Sequence, residues 1–265
     1  MPAFDRRSAI LEYLQVHGRA STSELSQQFG VSEVTVRTDL AALQGSGWLD
    51  RRHGGAEVAP RTEAAPRTAL AVPTVGEQPF DQRRALHGPE KAEIARAAAA
   101  MVQPGDHILL DGSTTAYHLA LQLRGLQDVT VITNNLRVAQ VLAENPGLEV
   151  LLIGGVLRGG TWSTVGVLAE EMLAKLHARQ GFFGAAGFTL DRGFTDADTR
   201  EVQVKRALVA AAGRVNVLLD STKLGQQALL TFAQLSQVHC VVTGRGLAPD
   251  YADAMRRAGV EIIVV

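Results

Sequence analysis

Apolar positions recur with a helical period through the first 44 residues and then change character. Ile10, Leu11 and Leu14 share one face of a helix predicted over about residues 6–16, which Gly18 ends. Ser21 and Glu24 have capping-box spacing, so a second helix starts at Ser21 or Thr22 and turns Leu25 and Phe29 inward. Gly30 makes the turn, and Ser32 caps a third helix that runs to about Gln44 on an inner face of Val36, Leu40 and Leu43. Gly45 and Gly47 stop it. Trp48 and Leu49 open a short strand, His53-Gly54-Gly55 signals a turn, and residues 56–58 return antiparallel. Helix, turn, helix and β-hairpin make the plan of a winged helix-turn-helix over residues 1–58.

Pro60, Pro66, Pro73 and Pro79 punctuate residues 59–79, where no hydrophobic period is found. That composition predicts a fairly extended linker. From residue 80 to 265, helices alternate with short strands that are apolar on both faces. Strands are predicted at 107–110, 129–133, 149–153, 182–185, 215–219, 238–242 and 261–265. Helices are predicted at about 89–102, from 115 to 123, and at 136–144, 168–176, 199–212 and 251–257. This alternation predicts an α/β domain with a parallel sheet covered on both sides.

The 265 residues suit one large or two unequal domains, with 46% hydrophobic residues to build a core. The net charge of −1 does not mark a nucleic-acid binder. Cys240, the single cysteine, cannot form an internal disulfide and reads as a buried strand residue. No signal-peptide layout and no bilayer-spanning apolar run is found, so a soluble, cytoplasmic protein without membrane partners is expected. The scattered histidines have no ligand-like spacing. No metal site and no cofactor are expected.

In a helix-turn-helix the second helix of the pair enters the major groove. With Val36, Leu40 and Leu43 inside, Glu33, Thr35, Arg37 and Thr38 point outward. Thr35 and Thr38 suit a base edge or phosphate, Arg37 suits guanine or phosphate, and Ser32 with the free amides at the helix start suits a phosphate. Arg51, Arg52 and His53 form a basic patch on the hairpin. Residues 1–58 hold six arginines, no lysine and seven acids, so a three-helix bundle that binds another protein is the competing reading. So few cations per chain imply a dimer or higher oligomer on DNA.

The run Glu24-Leu25…Phe29-Gly30-Val31-Ser32…Thr35-Val36-Arg37-Thr38-Asp39-Leu40…Leu43…Gly47-Trp48-Leu49…Arg51-Arg52-His53-Gly54-Gly55-Ala56 resembles the signature of the DeoR family of bacterial transcriptional regulators. The family usually carries two adjacent arginines in the recognition helix, where this chain has Arg37 and Thr38. The resemblance continues through Lys91, Leu110-Asp111-Gly112-Ser113-Thr114-Thr115, Thr133-Asn134-Asn135, Gly154-Gly155…Arg158, Gly184…Gly187, Glu201…Lys205 and Asp220-Ser221-Thr222-Lys223. It implies a ribose-5-phosphate-isomerase-like effector domain over residues 80–265. It also implies a phosphorylated sugar or polyol as ligand, and repression of sugar or polyol genes relieved by that ligand.

The residues support a ligand site on their own account. Asp111 ends a strand and Gly112-Ser113-Thr114-Thr115 opens a helix, where backbone amides and the helix dipole favour a phosphate. Thr133-Asn134-Asn135 and Gly154-Gly155 follow further strands and are expected on the same rim, as carboxyl ends of parallel strands gather ligands. Gly184 and Gly187 belong to the same set. Arg158 and Lys223 are candidate anion partners, Asp111, the asparagines and Glu201 candidate partners of hydroxyls, and Lys205 belongs to the same effector-site set. Plainer roles stay open: a helix cap for Ser113, a turn at Asn134-Asn135, and a surface ion pair between Glu201 and Lys205. An isomerase with an added module is the rival from another class. Its proton transfer needs a positioned carboxylate base, and residues 184–187 hold no acid, so binding without turnover is expected.

Overall fold

A computed structural model describes residues 6, 9, 10, 13, 14, 17, 19–45, 49–52, 55–58, 76 and 78–265. The chain divides into two compact units, Met1–Ala71 and Val72–Val265.

In the first unit the described residues of the amino-terminal helix, α1 (positions 6, 9, 10, 13, 14 and 17), are helical. Helices α2 (Thr22–Phe29) and α3 (Glu33–Gly45) follow, with strands β1 (Arg19–Ser21), β2 (Leu49–Arg52) and β3 (Gly55–Val58). The predicted capping box is present: Ser21 Oγ accepts from the Glu24 amide at 3.1 Å, and the Ser21 amide donates to Glu24 Oε2 at 2.7 Å. Gly30 closes α2 in the left-handed region at φ 61°, where only glycine sits without strain. Ile10, Leu14, Leu25, Val36, Leu40 and Leu43 make one buried cluster. Strand β1 escapes the sequence pattern because three residues are too few to show a period. It pairs with β3, so the hairpin becomes a three-stranded antiparallel sheet, ordered β1-β3-β2.

The second unit is built on a seven-stranded sheet ordered β15-β14-β12-β9-β4-β5-β6, with every neighbouring pair parallel. Its strands are β4 (His107–Leu110), β5 (Val129–Thr133), β6 (Leu148–Leu152), β9 (Gln180–Gly184), β12 (Val215–Leu219), β14 (Cys240–Thr243) and β15 (Glu261–Val264). Successive side chains alternate between two cores. Ile108 and Leu110 pack with α5 (Gly88–Ala99), α6 (Thr114–Gln122) and α7 (Leu136–Ala143), while Leu109 packs with α8 (Val167–Leu173), α9 (Thr199–Ala211) and α10 (Pro249–Arg257). The inner strands, buried on both faces, read as continuous apolar runs and were legible for that reason, whereas the edge strands β6 and β15 are only partly buried. Cys240 lies on one of the inner strands, fully buried.

Four short features depart from the predicted pattern. Helix α4 (Phe80–Ala85) precedes α5, which spans Gly88–Ala99 rather than 89–102. A hairpin of β7 (Val156–Arg158) and β8 (Ser163–Val165) follows β6. A small antiparallel sheet of β10 (Gly187–Thr189), β11 (Gly193–Asp196) and β13 (Leu230–Ala233) stands apart from the main sheet. No helix among the described residues is long and apolar enough to cross a membrane.

Candidate functional site

The outer side of α3 carries the predicted DNA-facing residues, and their polar atoms are already engaged. Ser32 Oγ accepts from the Thr35 amide at 3.2 Å and shares a hydrogen bond with Thr35 Oγ1 at 2.9 Å. Arg37, with its side chain 57% exposed, bridges to Glu33 Oε2 at 2.8 Å. Thr38 Oγ1 donates to the Val34 carbonyl at 3.0 Å, an exposed local bond that a contact with a base edge or phosphate would exchange or add to. The helix is anchored from behind by Arg6 Nε, which donates to buried Asp39 Oδ2 at 2.6 Å. Sequence reading passed over Val34, which is 69% exposed. Its i, i+3, i+4 spacing to Arg37 and Thr38 was the available signal. Arg51 and Arg52 fall on β2, of which the backbone alone is described, and His53 lies outside the described residues.

In the second unit, β4 is followed by β5 on one side and flanked by β9 on the other, so the strand order reverses between β4 and β9. Open parallel sheets leave a crevice at the carboxyl edge of such a switch. The loops after β4, β9 and β12 meet there around a cavity. It is lined by Gly112–Thr115, by Gly184 with the two alanines after it, and by Asp220 and Lys223. Helix α6 starts at this cavity. Ser113 Oγ caps it by accepting from the Ala116 amide at 3.1 Å. Among the described residues the Thr114 and Thr115 amides, in the first turn of α6, find no acceptor, and both residues line the hollow. Gly184 is required: a Cβ there would stand 2.4 Å from Ser113 Cβ.

Cations converge on the same hollow. Lys205 Nζ lies 3.0 Å from Asp111 Oδ2 and 2.6 Å from Asp196 Oδ2, and also donates to the Gly184 carbonyl at 3.0 Å. Burial opposes its charge, but the Asp111 and Asp196 carboxylates outweigh that and hold its pKa above the ordinary lysine value. Asp196 is likewise raised by burial and lowered further by Lys205, with a net lowering. Lys91, which is buried, donates to the carbonyls of Arg83 at 2.7 Å and Leu86 at 2.6 Å, at the end of α4. Burial pulls its pKa down to about 8, against the raising effect of Asp220. Lys91 and Arg83 line the cavity and were not assigned to it from sequence, because α4 was not foreseen.

The remaining assignments divide. Gly112, Ser113, Thr114, Thr115, Gly184, Glu201, Lys205 and Lys223 line the cavity. Asp111 stands behind it, accepting from the Ser113 and Gly184 amides at 3.0 Å each and meeting Lys205. Arg158 is not an anion partner in the hollow. Its guanidinium bonds Glu201 at 2.7 Å and Asp198 at 3.1 Å. The Glu201–Lys205 surface pair is also absent, since each has other partners. Glu201 Oε1 accepts from Arg158, from Thr161 Oγ1 at 2.8 Å and from Ser163 Oγ. Thr133, Asn134, Asn135, Gly155 and Gly187 do not line the cavity. Thr133 Oγ1 accepts from the Asn135 amide at 3.2 Å. Asn134 Nδ2 donates to the Thr164 carbonyl at 3.0 Å, and Asn135 Nδ2 to the Thr161 carbonyl at 2.9 Å. These residues brace the β7–β8 hairpin, whose Thr161 reaches the hollow. The loop after β5 is bonded to the hairpin rather than open to the hollow, which strand order alone could not foresee.

The DeoR C terminal sensor domain matches residues 86–245, and the DeoR-like helix-turn-helix domain matches residues 6–62. The chain belongs to the DeoR family of transcriptional regulators. Family relatives span almost its whole length. A repressor named for the aga operon in Escherichia coli O157:H7 is 33% identical over 98% of this chain and 93% of its own. The HTH-type transcriptional repressor GlcR of Bacillus subtilis (strain 168) is 32% identical over 98% and 95%. The glycerol-3-phosphate regulon repressor of Escherichia coli (strain K12) is 29% identical over 92% and 91%. Among solved structures, ribose 5-phosphate isomerase A from Methanocaldococcus jannaschii covers 51% of this chain and 53% of its own. Its identity is 17% and its TM-score 0.38, a partial likeness that transfers no chemistry.

Proposed function

We propose that this family member is a repressor of sugar or polyol genes, and that a phosphorylated sugar or polyol bound in the switch-point cavity releases it from operator DNA. One observation carries the reading. Thr114 and Thr115, whose amides find no acceptor among the described residues, line a cavity that Lys91, Arg83 and Lys223 also line. A phosphate there meets a helix amino terminus and fixed cations together. On the DNA side, Ser32, Thr35, Arg37 and Thr38 with the wing arginines 51 and 52 and His53 contact the duplex. Two modules of a homo-oligomer meet successive major-groove faces about 34–36 Å apart. Residues 59–79 link module to sensor.

The cavity binds without turnover. An isomerase needs a carboxylate free to shuttle a proton between carbons, whereas Asp196 is tied to Lys205 and Glu201 is held by three donors. The test selects a duplex from a random-sequence library with the full chain. The complex is then titrated with glycerol 3-phosphate, ribose 5-phosphate, fructose 6-phosphate and inorganic phosphate, in a gel-shift assay with NMR on the sugars. One sugar phosphate is expected to dissociate the complex while its own spectrum stays unchanged. Binding of such a ligand with no effect on the DNA complex overturns the coupling, and conversion at enzyme-like rates overturns the absence of turnover.

A further inference from the structure

We infer that Val34 reads the methyl group of a thymine in the major groove, and is a specificity-determining residue of the DNA-binding helix. The inference rests on the DNA-binding reading above and goes beyond it by assigning a side chain and a base. Val34 is 69% exposed in the first turn of α3, the part of such a helix that meets base edges. The buried Val36, Leu40 and Leu43 hold the opposite side of the helix. Val34, Arg37, Thr38 and Ala41 follow one another at i, i+3, i+4 and i+7, so they form one outward stripe.

Nothing among the described residues of the module explains a valine at that position. Its side chain takes no part in the buried cluster. As a β-branched residue it is also a poorer helix former than alanine. The polar atoms around it are engaged in local bonds: Ser32 with Thr35, Arg37 with Glu33, and Thr38 with the Val34 carbonyl. What remains at the amino-terminal end of the stripe is a bare aliphatic group. In the major groove only one of the four bases presents an aliphatic group, the C5-methyl of thymine. The two branch methyls of Val34 match it in size and polarity.

The test uses the full chain as wild type, Val34→Thr and Val34→Ala. Threonine keeps the shape and exchanges one methyl for a hydroxyl, while alanine improves helix propensity, so both variants fold and a thermal melt confirms it. Each protein selects sites from a random-sequence duplex library. Single thymines of the wild-type consensus are then replaced by deoxyuridine, which removes only the methyl. One thymine per half-site is expected to show a loss of about fourfold in wild-type affinity, the weight of one buried methyl group. Val34→Thr, which keeps one branch methyl, is expected to show a smaller loss on the same replacement and to select that thymine less often. Indifference of the wild type to deoxyuridine at every position overturns the inference. So does an equal loss in Val34→Thr, or an unchanged consensus. These results leave DNA binding standing, whereas selection of no duplex at all by the wild type removes both.

Discussion

Lys205 on α9 holds its Nζ 3.0 Å from Oδ2 of Asp111 at the end of β4, in a setting where both side chains are almost wholly buried. Asp111 in turn fixes the Ser113 and Gly184 amides, and Lys205 also meets Asp196 and the Gly184 carbonyl. One cation therefore ties the ends of β4, β9 and β11 together. Replacing Lys205 with methionine leaves two carboxylates without their counter-charge. It is expected to cost roughly 3–5 kcal/mol, the range for breaking a buried pair from one side. Urea unfolding of the sensor transition measures this, and a loss below about 1 kcal/mol would show the carboxylates finding other partners.

The pH dependence of the same cluster has a definite sign. The folded pKa of Asp196 lies below the ordinary aspartate value of 3.8. The stability it contributes is therefore complete above that value and is lost as pH falls through the lower folded pKa. Lys205 acts at the other end, its raised pKa making its contribution complete below 10.5 and lost only as pH rises through the higher folded value. Between these limits the cluster adds no slope. Asp196→Asn is expected to flatten the acid limb of the stability curve below about pH 4 and to leave the neutral region level. Parallel acid limbs in wild type and variant would contradict the assignment.

The sequence carried the strands that are buried on both faces, because such strands must be apolar throughout. It also carried Ser113, whose cap follows from its place before a helix. It did not carry the partners of the charged residues. Glu201 and Lys205 are four apart on one helix, which suggests a mutual pair, yet Arg158 takes one and Asp111 and Asp196 the other. Arg158 and Asp111 are distant in sequence, Asp196 lies on the short strand β11, and strands as short as β7, β8 and β10 leave no periodicity to announce such partners. Lys91 was visible as a family residue, but its role needed α4, whose terminal carbonyls it caps.

Lys91 is expected to give ligand binding a pH dependence. Its pKa of about 8 reflects burial first, then the opposing charges of Asp220 and Glu90 against those of Lys223 and Arg83. A bound phosphate favours the charged form and raises that pKa, so binding takes up a proton near pH 8. Affinity for the sugar phosphate is expected to hold below pH 7 and to fall as pH rises beyond 8. Titration calorimetry in two buffers of different ionisation enthalpy detects the proton directly. Lys91→Met is expected to abolish the uptake, and persistence of the uptake in that variant would assign the proton elsewhere.

Gly184 sits where strand β9 passes the cap of α6. The Cβ of an alanine would stand 2.4 Å from Ser113 Cβ and 2.6 Å from Ser113 Oγ, closer than real atoms approach. Either the strand or the cap must shift, at a cost of about 1–3 kcal/mol typical of overpacking. The expected outcome for Gly184→Ala is a folded sensor whose melting temperature no longer rises with the sugar phosphate, while DNA selection persists. A normal ligand-induced rise would show that the loop relaxes without disturbing the Thr114 and Thr115 amides.

Arg37 and Glu33 pose the opposite problem, an exposed pair on the face that must approach a polyanion. Their side chains are 57% and 44% exposed, so the bond itself adds little to stability. On DNA, however, Glu33 brings a negative charge toward the phosphates and competes for the guanidinium. Glu33→Gln is expected to tighten DNA binding roughly threefold to tenfold and to steepen its salt dependence, because Arg37 is released to displace a counterion. Arg37→Ala is expected to weaken binding severely and to make the slope shallower by about one ion, with an unchanged melting temperature. Salt titrations of the two variants on the selected duplex read both effects. Identical slopes in wild type, Glu33→Gln and Arg37→Ala would mean that Arg37 never reaches the duplex.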